Sequence, residues 1–316
     1  MYLSCSKTYK AIAPAKINLL LSVDKKKDNT DKHPVLNIMH TILLHDVLYF
    51  DIDKNEKFSV TSEFLDTGTL EEIPDIPSED NLTTKAIKLI AHEFKLNEKI
   101  KISIYIEKNI PCGAGLGGGS SDCAAAVVFM CKLFDIDVYN EKIIKVVKKL
   151  GADVLFFLYG GCGLYSGYGD VLENKIAPIN REIILVMPKT NADDKKLSTL
   201  STKDVYKQFD LLPHKNIDFD KLYSKLKEIQ FADNILLFNS LTKPANSLDS
   251  EIAKIQKWSK DKLGDKSVLL CGSGSCSFGF IPTGASSDKI VKEARSKGWW
   301  ATTSSLANVS SRLVNV

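Results

Sequence analysis

Apolar and polar residues alternate in two stretches of the first half of the chain. In residues 16–23, apolar side chains fill the odd positions and mostly polar side chains the even positions, which is the period-two pattern of a strand with one apolar face. Lys16 and Asn18 are therefore expected on the same face. The alternation in residues 102–107 predicts a second amphipathic strand, which should stop at Pro111 because proline has no backbone N–H to donate.

The segment after the second strand is rich in glycine. Residues 111–122 read PCGAGLGGGSSD, and the small residues from 123 to 133 predict a helix directly behind them. Glycines let the backbone approach a ligand, and the free N–H groups and positive dipole end of a helix attract an anion. The segment therefore predicts a phosphate site, where Ser120 and Ser121 add hydroxyls for phosphate or magnesium. A flexible linker is the alternative, but linkers rarely join a strand to a helix.

The kind of phosphate ligand is a separate question. The segment lacks the GxxxxGK[ST] pattern, so it is not a Walker P-loop, although Gly113, Gly115 and Gly118 satisfy GxGxxG. A dinucleotide fold would have a continuously apolar strand before the glycines and an acidic residue about 20 positions after them. Asp135 and Asp137 fit that position only loosely. A nicotinamide-dependent oxidoreductase is thus open but fits less well.

Other patterns predict the remaining elements. Asn81 precedes an apolar periodic run and is expected to cap a helix. Residues 35–50 read as strand-rich and residues 182–187 as a strand, and Ile252, Ile255 and Trp258 share a helical face. Two apolar runs, 268–271 and 276–281, flank a turn of sequence Gly272-Ser273-Gly274. A simple hairpin accounts for that turn as well as a functional loop does.

Composition limits the function classes. The 316 residues are 44% hydrophobic and 26% charged, and 42 Lys and Arg against 39 Asp and Glu give a net charge of +3. This is a globular composition, with too little positive charge to argue for a nucleic-acid partner. Seven scattered cysteines without CxxC spacing predict reduced thiols and no zinc site. The absence of a long apolar run or a signal-peptide core favours a cytoplasmic protein without a membrane partner.

Four ordered motifs resemble those of the 4-diphosphocytidyl-2-C-methyl-D-erythritol kinases, a family of the GHMP kinase superfamily. They are Pro14–Leu19 (PAKINL), Gly113–Ser121, Leu150–Val154 (LGADV) and Cys271–Cys276 (CGSGSC), and Ser201-Thr202 before Val205-Tyr206 matches a further segment. The resemblance implies an α+β, two-domain GHMP kinase fold with the active site in the interdomain cleft. It implies an ATP-binding domain over 1–175 and a C-terminal domain over 176–316, with the boundary near residues 172–181.

The resemblance also implies a reaction: phosphorylation by ATP of the 2-hydroxyl of 4-diphosphocytidyl-2-C-methyl-D-erythritol, giving the 2-phosphate and ADP in the non-mevalonate isoprenoid pathway. It makes Asp153 the general base and Lys16 its partner, with Asn18, His33 and Thr202 near the substrate. Magnesium would arrive with ATP. The implied nucleotide-binding residues are Asn81, Leu82, Lys108, Pro111, Cys112, Gly113, Ala114, Gly115, Leu116, Gly117, Gly118, Gly119, Ser120 and Ser121. Taken alone, Asp153 fits a helix cap, and Lys16 and Asn18 fit exposed strand positions.

The chain departs from the family pattern at the substrate's cytidine end. The family carries Asp-Gly-Tyr-His, where this chain has Asp31-Lys32-His33-Pro34. His33 can still stack on a base, but the Pro34 side chain offers no hydrogen-bond donor, so cytosine must be recognised differently. A GHMP kinase for another alcohol, such as homoserine or a phosphorylated mevalonate derivative, and a catalytically silent binding protein are further alternatives. A monomer and a homodimer are both compatible with the sequence.

Overall fold

The computed structural model describes residues 7–27, 29, 31–67, 74–189, 197–213, 217–230 and 237–314. Its strands are β1 (Lys7–Val23), β2 (Val35–Lys54), β3 (Ser59–Leu65), β4 (Ile100–Glu107), β5 (Cys162–Ser166), β6 (Val171–Ile176), β7 (Glu182–Met187), β8 (Phe238–Asn239), β9 (Val268–Leu270), β10 (Ser277–Phe280), β11 (Trp300–Ser305) and β12 (Arg312–Val314). Its helices are α1 (Leu82–Glu93), α2 (Gly118–Leu133), α3 (Glu141–Leu150), α4 (Ala152–Tyr159), α5 (Thr202–Leu211), α6 (Phe219–Lys227), α7 (Thr242–Leu248), α8 (Ser250–Leu263) and α9 (Ser287–Ser296).

The larger sheet is built around β1. Its path is β12-β1-β2-β4-β3, with β5 paired to β2, β6 to β5 and β8 to β1. β1 is longer than the alternating stretch that predicted it, and both of its faces are buried over residues 13–23. Ala11 and Ala13 belong to the core beneath α1–α4, whereas Ile17 and Leu19 belong to a second core that also contains residues of β7 and β10. Lys16 and Asn18 are consequently carried into the interior.

The smaller sheet has the order β11-β7-β10-β9. The predicted strand at Glu182–Met187 is confirmed as β7, and the predicted helical face of Ile252, Ile255 and Trp258 is buried in α8. Strands β9 and β10 pair antiparallel around the glycine turn, so the two predicted strands that flank this turn are confirmed. The fold is α+β, as predicted.

Two strands from the second half of the chain pair with β1 in the larger sheet. Strand β8 pairs parallel to β1, and β12 pairs antiparallel to it. The backbone N–H of Ser311, just before β12, donates to the carbonyl oxygen of Phe157 in α4 at 2.9 Å. The division at residues 175 and 176 stays a prediction.

The five buried cysteines are free thiols: Cys123, Cys131, Cys162, Cys271 and Cys276. Cys5 lies outside the described residues. Within the described ranges, no helix has the length and apolarity needed to cross a bilayer.

His40 in β2 is fully buried and connects the larger sheet to the segment that follows β6. Its Nδ1 donates to the carbonyl oxygen of Thr41 at 2.8 Å, and its Nε2 accepts from the backbone N–H of Ile179 at 3.1 Å. Because Nε2 needs its lone pair for the second bond, the folded ring is neutral. Burial lowers the pKa of His40 to about 4.

Replacing His40 with glutamine is expected to reduce the acid sensitivity of folding. A histidine with a folded pKa of about 4 and an ordinary pKa of 6.5 gives stability that is complete above pH 6.5 and is lost as the pH falls toward 4. The lost contribution is about 3 kcal/mol. Urea unfolding at neutral and acid pH should show a smaller pH difference in His40→Gln than in the wild type. His45→Gln, on the same strand but partly exposed, is the control; equal pH differences in all three proteins would contradict the prediction.

Candidate active site

The glycine-rich segment forms a loop that leads into α2. The predicted start of that helix, at residue 123, is wrong: α2 begins at Gly118, five residues earlier, because Gly117 adopts a left-handed φ of 75° at the N-cap position. Gly118, Gly119, Ser120 and Ser121 therefore form the first turn of the helix. A Cβ on Gly119 would meet nothing within 4 Å. The N-terminus of a 16-residue helix is thus open to a ligand on this side.

The same loop packs against the β9–β10 hairpin and against β1. A Cβ on Gly115 would lie 2.0 Å from the carbonyl oxygen of Cys271, and the N–H of Cys276 donates to the carbonyl oxygen of Ala114 at 3.2 Å. The backbone N–H of Lys16 donates to the carbonyl oxygen of Leu116 at 3.0 Å. Three of the four sequence motifs therefore meet at one place.

The fourth motif joins them through Lys16. Its ammonium lies 3.6 Å from a carboxylate oxygen of Asp153 and donates to Oδ1 of Asn18 at 2.8 Å. The Asn18 amide in turn donates to Asn37 Oδ1 at 2.8 Å, which orients it. The Lys16 side chain is 6% exposed and that of Asp153 is 30% exposed, so Asp153 can be reached from outside while Lys16 is held inside.

These positions decide between the alternatives that the sequence left open. Asp153 lies in the first turn of α4, and Gly151 is the N-cap, so the interpretation of Asp153 as a cap is wrong. Lys16 and Asn18 are buried, so the interpretation of both as exposed strand residues is wrong. The hairpin is next to Lys16, since a Cβ on Gly272 would lie 3.4 Å from the Lys16 ammonium. It also bonds to α5, because the hydroxyls of Thr202 and Ser273 are 3.0 Å apart.

The implied nucleotide residues fall into three groups. Cys112 and Gly113 of the loop are exposed, whereas Pro111, Ala114 and Leu116 are buried and anchor it. Asn81 caps α1, accepting from the N–H of Thr83 at 2.9 Å, and Leu82 is the first residue of that helix. The hydroxyl of Ser121 faces inward, 3.2 Å from the hydroxyl of Ser311, while Ser120 is partly exposed. Of the two serines, Ser120 is the better placed to offer a hydroxyl to phosphate.

Lys108 is buried between two carboxylates. Its ammonium donates to Asp46 and, at 2.8 Å, to Asp122. Burial alone would lower the pKa of Lys108, but the Asp122 and Asp46 carboxylates raise it well above its ordinary value. A direct contact between the Lys108 side chain and a nucleotide stays a prediction that this arrangement does not favour. The ammonium lies just under the start of α2, 3.2 Å from where a Cβ on Gly118 would be.

Asp122, directly after Ser121, is the fifth residue of α2 and is buried. Burial raises the pKa of Asp122, whereas the adjacent Lys108 ammonium lowers it. Because Asp122 is buried and already paired with Lys108 at 2.8 Å, it is poorly placed to hold a metal ion. Among the described residues, no group of three or more His, Cys, Asp or Glu side chains could hold a metal ion.

His33 is buried next to α5, and it is not open on both faces for a base. Its Nδ1 lies 2.7 Å from the carbonyl oxygen of Asp24, and its Nε2 lies 3.0 Å from Oδ1 of Asp210. The rings of Tyr206 and Phe209 lie 5.8 Å and 5.5 Å from it. The sequence analysis gave Asp210 no role. The signal for it is the four-residue spacing of Thr202, Tyr206 and Asp210, which places all three side chains on one face of a helix.

Comparisons with known proteins agree with this geometry. The model described as "GHMP kinases N terminal domain" matches residues 81–161. A 4-diphosphocytidyl-2-C-methyl-D-erythritol kinase of Thermodesulfovibrio yellowstonii is 30% identical over 292 residues, covering 90% of this chain and 93% of the relative. That of a Sulfurihydrogenibium species is 32% identical, covering 91% and 95%. A crystal structure of a 4-(cytidine 5'-diphospho)-2C-methyl-D-erythritol kinase has a TM-score of 0.69 at 25% identity and covers 94% of this chain and 99% of that one.

The glycine loop at the start of α2, the adjacent Lys16–Asp153 pair and the two-sheet fold define a kinase of the GHMP class. The chain belongs to the 4-diphosphocytidyl-2-C-methyl-D-erythritol kinase family, and it is an ATP-dependent kinase. The resemblance in the sequence is thereby confirmed. The interpretation as a nicotinamide-dependent oxidoreductase is wrong. A homoserine kinase structure at 17% identity and TM-score 0.68 shares the fold alone.

Proposed function

We propose that this protein transfers the terminal phosphoryl group of ATP to the 2-hydroxyl of 4-diphosphocytidyl-2-C-methyl-D-erythritol, in the non-mevalonate isoprenoid pathway. The observation that carries the proposal is the Lys16–Asp153 pair, 3.6 Å apart, beside the hairpin that packs on the glycine loop. A phosphoryl acceptor needs its hydroxyl proton removed while the phosphate is held in line. The pair and the adjacent loop supply these two requirements.

The chain's own residues divide the work. Asp153, partly exposed, accepts the proton of the attacking hydroxyl as the new O–P bond forms and ADP departs. The buried Lys16 ammonium, 3.6 Å from Asp153, stabilises negative charge near the transferring group. Asn18 holds Lys16 in position through its amide oxygen. The N–H groups at the start of α2 bind the phosphates of ATP.

Magnesium that arrives with ATP would neutralise phosphate charge. The residues at the loop are compatible with this, because Ser120 offers a partly exposed hydroxyl oxygen at the start of α2, an oxygen ligand of the kind that magnesium prefers. Asn81 and Leu82 at the start of α1 are proposed to lie near adenine. The oligomeric state, monomer or homodimer, stays a prediction.

The test is ADP release from magnesium ATP in the presence of 4-diphosphocytidyl-2-C-methyl-D-erythritol, with homoserine and phosphorylated mevalonate as competing acceptors. We expect turnover with the cytidylyl substrate and no turnover with the other two. Turnover with another alcohol alone would support the assignment as a kinase and would reject 4-diphosphocytidyl-2-C-methyl-D-erythritol as the acceptor. Absence of turnover with every acceptor, in a folded protein that binds ATP, would favour a silent binding protein instead.

A further inference from the structure

One face of α5 leads from the hairpin to the loop that follows β1. Thr202, Tyr206 and Asp210 are spaced by four residues and therefore share this face. Thr202 contacts the hairpin through Ser273. Tyr206 is in the middle of the face and is partly exposed; burial, together with the charge of Asp153, raises the pKa of Tyr206 to about 12.

Asp210 lies at the far end of the face. Its Oδ1 is 3.0 Å from Nε2 of His33, and its Oδ2 is 3.0 Å from the ammonium of Lys27. Its side chain is 38% exposed. Two ionised oxygens can accept up to about four hydrogen bonds, so Asp210 is held by the loop and still has acceptor capacity toward solvent.

This face of α5 runs in the direction in which the proposed acceptor has to extend. Each four-residue step along a helix covers about 6 Å, which places Asp210 about one step beyond Tyr206 and farther from the glycine loop. When the reacting hydroxyl lies at Asp153 and ATP lies at the start of α2, the cytidine end of the acceptor has to point away from both. This step rests on the proposed function. The partly exposed ring of Tyr206, 5.8 Å from the buried ring of His33, borders the same place and offers a surface on which a base can stack.

We propose that Asp210 determines specificity for cytosine by accepting a hydrogen bond from the amino group of the base. Cytosine carries an amino donor where uracil carries a carbonyl oxygen, and an ionised carboxylate can only accept. A uracil oxygen at this place would face the carboxylate without a proton between them. Because Pro34 stands where the family has histidine, its side chain cannot hydrogen-bond to cytosine. His33 does not replace that contact, since both of its nitrogens already face Asp24 and Asp210.

The experiment compares 4-diphosphocytidyl-2-C-methyl-D-erythritol with its uridylyl counterpart in the wild type and in Asp210→Asn. An asparagine amide can accept from cytosine and can also donate to uracil. We expect the variant to raise KM for the cytidylyl substrate about tenfold. We also expect the cytidylyl preference in kcat/KM to fall by roughly 100-fold, because a site with a dedicated polar partner discriminates strongly.

Two variants separate this role from a structural one. Asp204→Asn changes an exposed carboxylate of α5 that pairs with Lys207, and it should leave the preference unchanged. Lys27→Met breaks the contact of the loop with Asp210 but keeps the carboxylate, so it should also keep the preference. An equal loss for both substrates in Asp210→Asn would overturn the proposal and assign Asp210 to loop positioning. A wild type that phosphorylates another alcohol but neither nucleotide ester would reject the proposed function itself.

Discussion

Asp153→Asn is expected to lower kcat by about 100- to 10,000-fold, the usual contribution of a positioned general base. The substitution keeps the size of the side chain but removes its capacity to take a proton. The Lys16 ammonium, now without its carboxylate partner at 3.6 Å, still has Asn18. Because Asp153 belongs to α4 and not to the glycine loop, the KM for ATP should be unchanged. ADP release at saturating acceptor measures the effect.

Asp265→Asn is the matched control for this prediction. Asp265 is an exposed carboxylate in the short turn between α8 and β9, and its replacement should leave kcat at the wild-type value. Thermal unfolding of both variants tests whether the fold is retained. A kcat of wild-type size in a folded Asp153→Asn protein would show that the proton leaves by another route, and the Lys16–Asp153 pair would then serve only to hold the cleft.

Gly115→Ala is expected to be the most damaging change in the glycine loop. The residue has a left-handed φ of 76°, and its Cβ would lie 2.0 Å from the carbonyl oxygen of Cys271. The backbone of the hairpin would have to move, and a strained φ adds to the cost, so the free energy of unfolding should fall by about 2–5 kcal/mol. Since the hairpin also contacts Lys16, ADP release should fall with it. Urea unfolding and turnover measure the two effects.

Gly119→Ala tests whether a methyl group in the glycine loop can hinder ATP binding without clashing with the rest of the fold. Its Cβ would meet nothing within 4 Å, and alanine is favoured over glycine in a helix by up to about 1 kcal/mol. Stability should therefore be retained or increased. The added methyl group projects at the open start of α2, so the KM for ATP should rise. An unchanged KM would indicate that the phosphates of ATP do not approach this turn.

Buried polar residues mark the limit of what could be predicted from the sequence. The alternation in residues 16–23 predicted the strand and the common face of Lys16 and Asn18, but it did not predict that this face is buried. The reason is that β1 belongs to two cores, one of them completed by strands from the second half of the chain. The roles of Lys108 and Ser121 were unpredictable for the same reason, because their partners Asp46 and Ser311 are distant in sequence.

The sequence by itself predicted several strands and helices of the core and a phosphate site at the glycine segment, and through four ordered motifs it identified the family. These depend on local spacing and residue type. Only the tertiary structure decided which motifs meet: the packing of Gly115 on Cys271, the approach of Lys16 to Asp153, and the placement of Asp210 beside His33. Each joins segments that are far apart along the chain, and such contacts are fixed by how the sheets and helices pack, which no local pattern of residues contains.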